Sequence, residues 1–118
     1  MAHPDTAAIV LTTAPREFDV ATLARALVTE QLVACVNVLP AMQSLYRWHG
    51  VIESAAEHQL ILKTTMGCVE RLRERLAALH PYEVPEFLVL EVSGGSEPYL
   101  GWLRDQIAQP PREGDQTA

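Results

Sequence analysis

The densest run of reactive side chains is His80-Pro81-Tyr82-Glu83-Val84-Pro85-Glu86. It combines one imidazole, one phenol and two carboxylates with two prolines that stiffen the backbone. His80 and Glu86 could hold a metal ion, since imidazole plus carboxylate suits Cu(II) or Zn(II), or they could act as an acid/base pair. A structural role is the alternative: His80 closes a helix C-terminus, Tyr82 packs, and the acids face water. Cys35 is a more distant third ligand, because a cysteine in an apolar strand usually acts as a small buried hydrophobe. Cys68 falls at a helix start, where a surface or half-buried thiol is expected.

Lys63 is the only lysine beside eight arginines. A lone point charge late in an apolar strand is either a ligand contact or a strand-end residue with its ammonium in water. Trp48 and Trp102 read as packing or interface residues, with a ligand contact at Trp48 as the alternative. His49, beside Gly50, reads as an exposed turn residue, and His58 is similar. No GxGxxG, Walker A, HExxH or GxSxG pattern occurs, so neither a cofactor nor an activated nucleophile is signalled. An enzyme is therefore not expected.

These residues must be placed by elements that the periodicity outlines. Ala7–Thr13 is a short β-branched strand ended by Ala14-Pro15. Asp19 then caps a helix with apolar residues at Val20, Leu23, Ala24, Leu27 and Val28. Val33–Leu39 and Ser44–Trp48 are extended. Gly50 turns the chain, Val51 starts the return, and His58–Thr65 is a further extended leg. Val69, Leu72, Leu76 and Leu79 give a second helix, stopped by Pro81. Glu86–Val92 is a strand, and Ser96 caps a last helix with Tyr99, Trp102, Leu103 and Ile107 on one face. The order β-α-β-β-α-β-α predicts an α+β fold of ferredoxin-like type, βαββαβ plus a C-terminal helix, with an antiparallel sheet.

One feature of the strands asks for more than a monomer. Ile9-Val10-Leu11, Leu60-Ile61-Leu62 and Phe87-Leu88-Val89-Leu90 do not alternate, so both faces or both edges of the sheet are expected to be covered. Two helices and a short third do not supply that cover. A homo-oligomer is expected, with the apolar tip around Tyr46 and Trp48 suited to an arm that pairs with a neighbour.

The 118 residues, 48% of them hydrophobic and 20% charged, make a single globular domain, with residues 7–108 as its core and 109–118 as a flexible tail. A net charge of -6 with no basic stripe argues against a nucleic-acid partner. No apolar run is long enough to span a membrane, and no signal sequence is read at the N-terminus, so the cytoplasm is the expected location.

Six segments in order make the chain resemble the CutA divalent-cation tolerance family. They are Leu11-Thr12-Thr13-Ala14-Pro15, residues 32–37 (LVACVN), residues 44–50 (SLYRWHG), residues 60–65 (LILKTT), residues 80–86 (HPYEVPE) and Tyr99-Leu100-Gly101-Trp102-Leu103. The resemblance implies a ferredoxin-like protomer, a homotrimer resembling the PII signalling proteins, and a role in tolerance of divalent metals, chiefly copper. The copper ligands proposed for the family transfer only in part. Glu86 is kept, but Thr12 stands at the cysteine position and Leu79 at that of a histidine just before the His-Pro-Tyr motif. A hydroxyl and an aliphatic side chain do not replace a thiolate and an imidazole. The metal candidates are therefore Glu86, His80 and Cys35. A PII-like alternative has Lys63, Tyr82 and Trp48 contacting a small-molecule effector between subunits, without specific metal binding.

Overall fold

A computed structural model describes residues 3–109. The expected tail therefore lies, beyond Gln109, outside the described residues. Five strands and three helices follow in the order β1 (Ala7–Pro15), α1 (Val20–Thr29), β2 (Cys35–Val38), β3 (Met42–Trp48), β4 (Val51–Thr65), α2 (Val69–Leu79), β5 (Leu88–Glu91) and α3 (Glu97–Asp105). All pairings are antiparallel, in the order β2-β4-β1-β5, with β3 paired to the first half of β4. Thus α1 joins two strands that flank β4, and α2 joins two that flank β1.

The two extended legs expected before and after residue 58 form one 15-residue strand, β4. At about 3.3 Å per residue it runs about 50 Å, which matches the longest dimension of the molecule, 50 Å. Its first half pairs only with β3. The two join through His49-Gly50, both at positive φ (49° and 79°) between the paired residues Trp48 and Val51. That is the backbone a two-residue hairpin loop demands.

Pro15 does not break β1; it is the last residue of the strand, where a missing N–H costs the ladder least. The strand expected over Glu86–Val92 is shorter, because only four residues pair with β1. Ser96 does precede α3, but its hydroxyl makes no capping bond. Asp19 caps α1 as expected, accepting from the Thr22 amide at 3.1 Å.

The core lies between one sheet face and the helices. Val10, Thr12, Leu60, Leu62 and Thr64 from the sheet are fully buried, as are Leu27 of α1 and Leu72 of α2, with Leu76 almost so. Each such leucine contributes about 2 kcal/mol by leaving water. Cys68 belongs here too: it is fully buried and its thiol points to the Leu32 carbonyl at 3.5 Å. It is not the surface or half-buried thiol that its place at a helix start suggests. Met66–Cys68 form a single 3-10 turn, where Gly67 is required because a Cβ would sit 2.9 Å from that of Pro4.

The opposite face carries two cross-strand rows. One is Leu90, Ile9, Lys63 and Cys35; the other is Leu88, Leu11, Ile61 and Asn37. Leu88 and Leu90 are 53% and 52% exposed. Among the described residues this mostly apolar face is met only at Lys63, by the Tyr99 hydroxyl of α3, and its apolar rows account for the central strands that do not alternate.

Candidate functional site

Pro81 forces His80 into an extended backbone (φ -81°, ψ 141°), which ends α2. His80 thereby turns its ring under the loop and is nearly buried. Its Nε2 donates to the Thr13 carbonyl at 2.6 Å, and its Nδ1 accepts the Tyr82 amide N–H at 3.0 Å. These two bonds fix the neutral tautomer with the proton on Nε2. The ring also stacks on Phe18, with centroids 6.4 Å apart. Both nitrogens are committed, so a metal could take His80 only by displacing the Tyr82 amide.

Tyr82 reaches back to β4, where its hydroxyl donates to Glu57 Oε2 at 2.8 Å. Burial is the main cause that pushes the Tyr82 phenol up to about 12, and the Glu57 hydrogen bond adds to it. Glu57 itself is only 8% exposed. Two residues on, and so on the same face, Gln59 uses its amide nitrogen twice. It donates to the Thr12 carbonyl at 2.7 Å and to Glu86 Oε2 at 3.0 Å. Residues 80–86 are thus tied to one end of the sheet, just past the last β1–β5 rung at Leu11 and Leu88. His80 and Tyr82 touch, with ring centroids 5.1 Å apart, while Glu86 is tied to the same strand through Gln59.

The other sequence candidates are not at this end. Cys35 and Lys63 are cross-strand partners. Lys63 lies four residues along β4 from Gln59, about 13 Å. Its ammonium donates to the Tyr99 hydroxyl at 3.4 Å. Trp48 is at the hairpin tip, 58% exposed, with its ring edge-on to His49. Its partner Val51 is eight residues from Gln59, about 26 Å. Lys63, Tyr82 and Trp48 therefore mark three separate stations along one strand.

The donor set for a metal is short within one protomer. Among the described residues no three His, Cys, Asp or Glu side chains gather. Thr12, at the position where the family proposal has a cysteine, turns its hydroxyl into the core, fully buried and without a hydrogen-bond partner among the described residues. Glu57 and Gln59, which do organise the site, were not singled out from the sequence. Their signal was a pair of polar residues at i and i+2 just before the buried Leu60 and Leu62.

The profile of the family described as "CutA1 divalent ion tolerance protein" matches residues 8–106. The "Divalent-cation tolerance protein CutA" of Thermus thermophilus is 46% identical over 97 residues, covering 82% of this chain and 94% of that protein. "Protein CutA, chloroplastic" of Arabidopsis thaliana is 41% identical over 97 residues, covering 82% of this chain and 53% of the relative. The solved structure of the Thermus thermophilus divalent cation tolerance protein superposes with a TM-score of 0.83 at 44% identity, covering 86% of this chain and 99% of that one.

Proposed function

The chain belongs to the CutA1 divalent ion tolerance protein family, and from that premise we propose a trimeric, cytoplasmic, non-enzymatic protein that responds to divalent metal ions by binding one, copper first among them. Glu86 is its primary ligand. A half-buried carboxylate with one oxygen held by Gln59 keeps lone pairs for a cation. His80 joins only if the Tyr82 amide lets go. Cys35, some four rungs away along the sheet, joins only from a neighbouring subunit. The observation that carries the reading is the family membership, together with the Glu86 carboxylate held by Gln59 at one sheet end.

The strand order β2-β4-β1-β5, with each of the first two helices spanning a split pair, supports the ferredoxin-like description. The two uncovered rows and the β3–β4 arm, with Leu45, Trp48, Val51 and Ile52 all more than half exposed, support the trimer. Two cysteines without a disulfide are compatible with a reducing compartment. No helix among the described residues is long and apolar enough to cross a membrane.

Calorimetric titration of metal-free protein with Cu(II), beside Glu86→Ala and His80→Ala and with the particle mass recorded, tests this reading. Saturable binding in a particle of three 13.0 kDa chains, lost in Glu86→Ala, is expected. Weak heat that both variants share with the parent overturns direct binding.

A second reading is favoured by the committed nitrogens of His80 and by the short donor set. The protein is then a PII-like scaffold that binds an effector at subunit clefts, without specific metal binding. Lys63, Tyr82 and Trp48 could share one ligand only if different subunits supplied them. A ligand at 100-fold excess over Kd adds about 2.7 kcal/mol of stability, which thermal unfolding detects.

A further inference from the structure

We propose that Lys63, Tyr99 and Trp102 form a binding site for a planar anion, an aromatic ring carrying a carboxylate or phosphate. The inference deepens the effector reading and rests on it. It moves the ligand away from Tyr82 and Trp48 to a single station.

Lys63 is half-buried in an otherwise uncharged cross-strand row, between Ile9 and Cys35. None of the ion pairs among the described residues includes it. Among the described residues its one polar partner is the Tyr99 hydroxyl, which leaves two of its three N–H bonds for an acceptor. The ammonium also lies 5.6 Å from the Tyr99 ring centroid, within range of a cation–π contact.

Tyr99 and Trp102 are three residues apart on α3, so they share a helix face. Their ring centroids are 5.5 Å apart at 43°, and they remain 44% and 45% exposed. Within one protomer a cation in no ion pair among the described residues lies beside two part-exposed aromatic rings, so a ligand held here at a subunit cleft meets two different attractions. A ring-free anion can use only the charge, which water and salt screen at a half-exposed site. An anion with its own ring also stacks, and so gains both. Divalent cations are disfavoured here by the ammonium, which keeps this station chemically apart from the Glu57–Glu86 end.

The test uses the full-length protein with benzoate and adenosine monophosphate as planar anions. Acetate and inorganic phosphate serve as ring-free counterparts. The thermal midpoint reads binding anywhere on the molecule. The indole N–H resonance of Trp102 reads binding at this station, with that of Trp48 as an internal control assigned through Trp48→Phe. A planar anion is expected to shift Trp102 saturably, leave Trp48 unmoved, and bind at least 10-fold more tightly than its ring-free counterpart. Lys63→Met, which keeps an unbranched stem of similar reach, is expected to weaken binding at least 10-fold. Tyr99→Phe, which keeps the ring, is expected to change it less than threefold.

A raised midpoint without movement of Trp102 overturns this site but leaves the effector reading standing. No response to either planar anion in either readout also overturns the site, and the effector reading then depends on ligands of other classes. Phosphate binding as tightly as adenosine monophosphate removes the role of the rings. A Lys63→Met protein with altered particle mass and unaltered affinity shows that the lysine serves a subunit contact instead, which equally overturns the site.

Discussion

Leu62 and Lys63 are neighbours on β4, yet they face two different environments. Leu62 points into the layer under the helices, where sheet and helix side chains are fully buried. Lys63 points to the opposite face, into rows flanked by half-exposed leucines. The first face is closed at its centre within one chain, with Val38 and Val89 still part-exposed at its edges. The second holds apolar surface and a cation with no carboxylate partner among the described residues, both of which ask for something more than the described fold supplies. The difference separates the residues that make the fold from those that give it an occupation.

The sharpest way to break this contrast is to truncate one residue on each face. Leu62→Ala is expected to cost about 3 kcal/mol in denaturant unfolding, because it removes contacts and leaves a cavity in a closed core. Ile61→Ala, one residue away, is expected to act on the particle mass at low concentration instead. An equal loss of protomer stability in both would mean that the open face is already closed within the chain.

Tyr82 is the next largest effect. Tyr82→Phe leaves the nearly buried Glu57 carboxylate without its hydroxyl donor, at a cost of about 2 kcal/mol near neutral pH. The phenol also gives a pH signature. Its folded value of about 12 lies above the ordinary 10.0, so above pH 10 the unfolded chain releases a proton that the folded chain keeps. Stability is therefore full below pH 10 and falls between pH 10 and 12. Urea midpoints across that range are expected to decline in the parent and to decline less in Tyr82→Phe.

Thr12→Val reverses the sign. The hydroxyl is buried and has no partner among the described residues, so a methyl in its place is expected to raise stability by about 1 kcal/mol. A loss instead would reveal a bond that the hydroxyl makes. Lys63→Met should be the smallest change, within about 0.5 kcal/mol in unfolding, since its ammonium is in no ion pair among the described residues.

The fold was legible because its signals are local. Helical spacing at Leu23 and Leu27 and at Leu72 and Leu76, the Asp19 cap and the stop at Pro81 each act within a few residues. The continuity of β4 was not legible, because the polar stretch from Glu53 to His58 breaks its apolar pattern while its backbone stays paired, first to β3 and then also to β1. The site was legible in part. The prolines and reactive types of residues 80–86 marked the loop, in which His80 and Tyr82 touch and Glu86 reaches Gln59 of β4. Their partners come from 25 and more residues away, so only the strand register could supply Glu57 and Gln59. The same register separates Cys35 and Trp48 from that loop, and no spacing along the chain could have shown it.

The uninterrupted β4 also sets a rule for how its sequence can change length. Side chains alternate along it, so its positions have a phase. Removing one residue between Glu57 and Thr65 would turn Leu60 and Leu62 outward and drive Gln59 or Lys63 beneath the helices. Removing two would keep the phase but draw the Glu57 end and the Lys63 station about 7 Å closer together. Viable length changes within that stretch should therefore come in even steps, while single-residue changes belong at the His49-Gly50 turn, where a loop can absorb them.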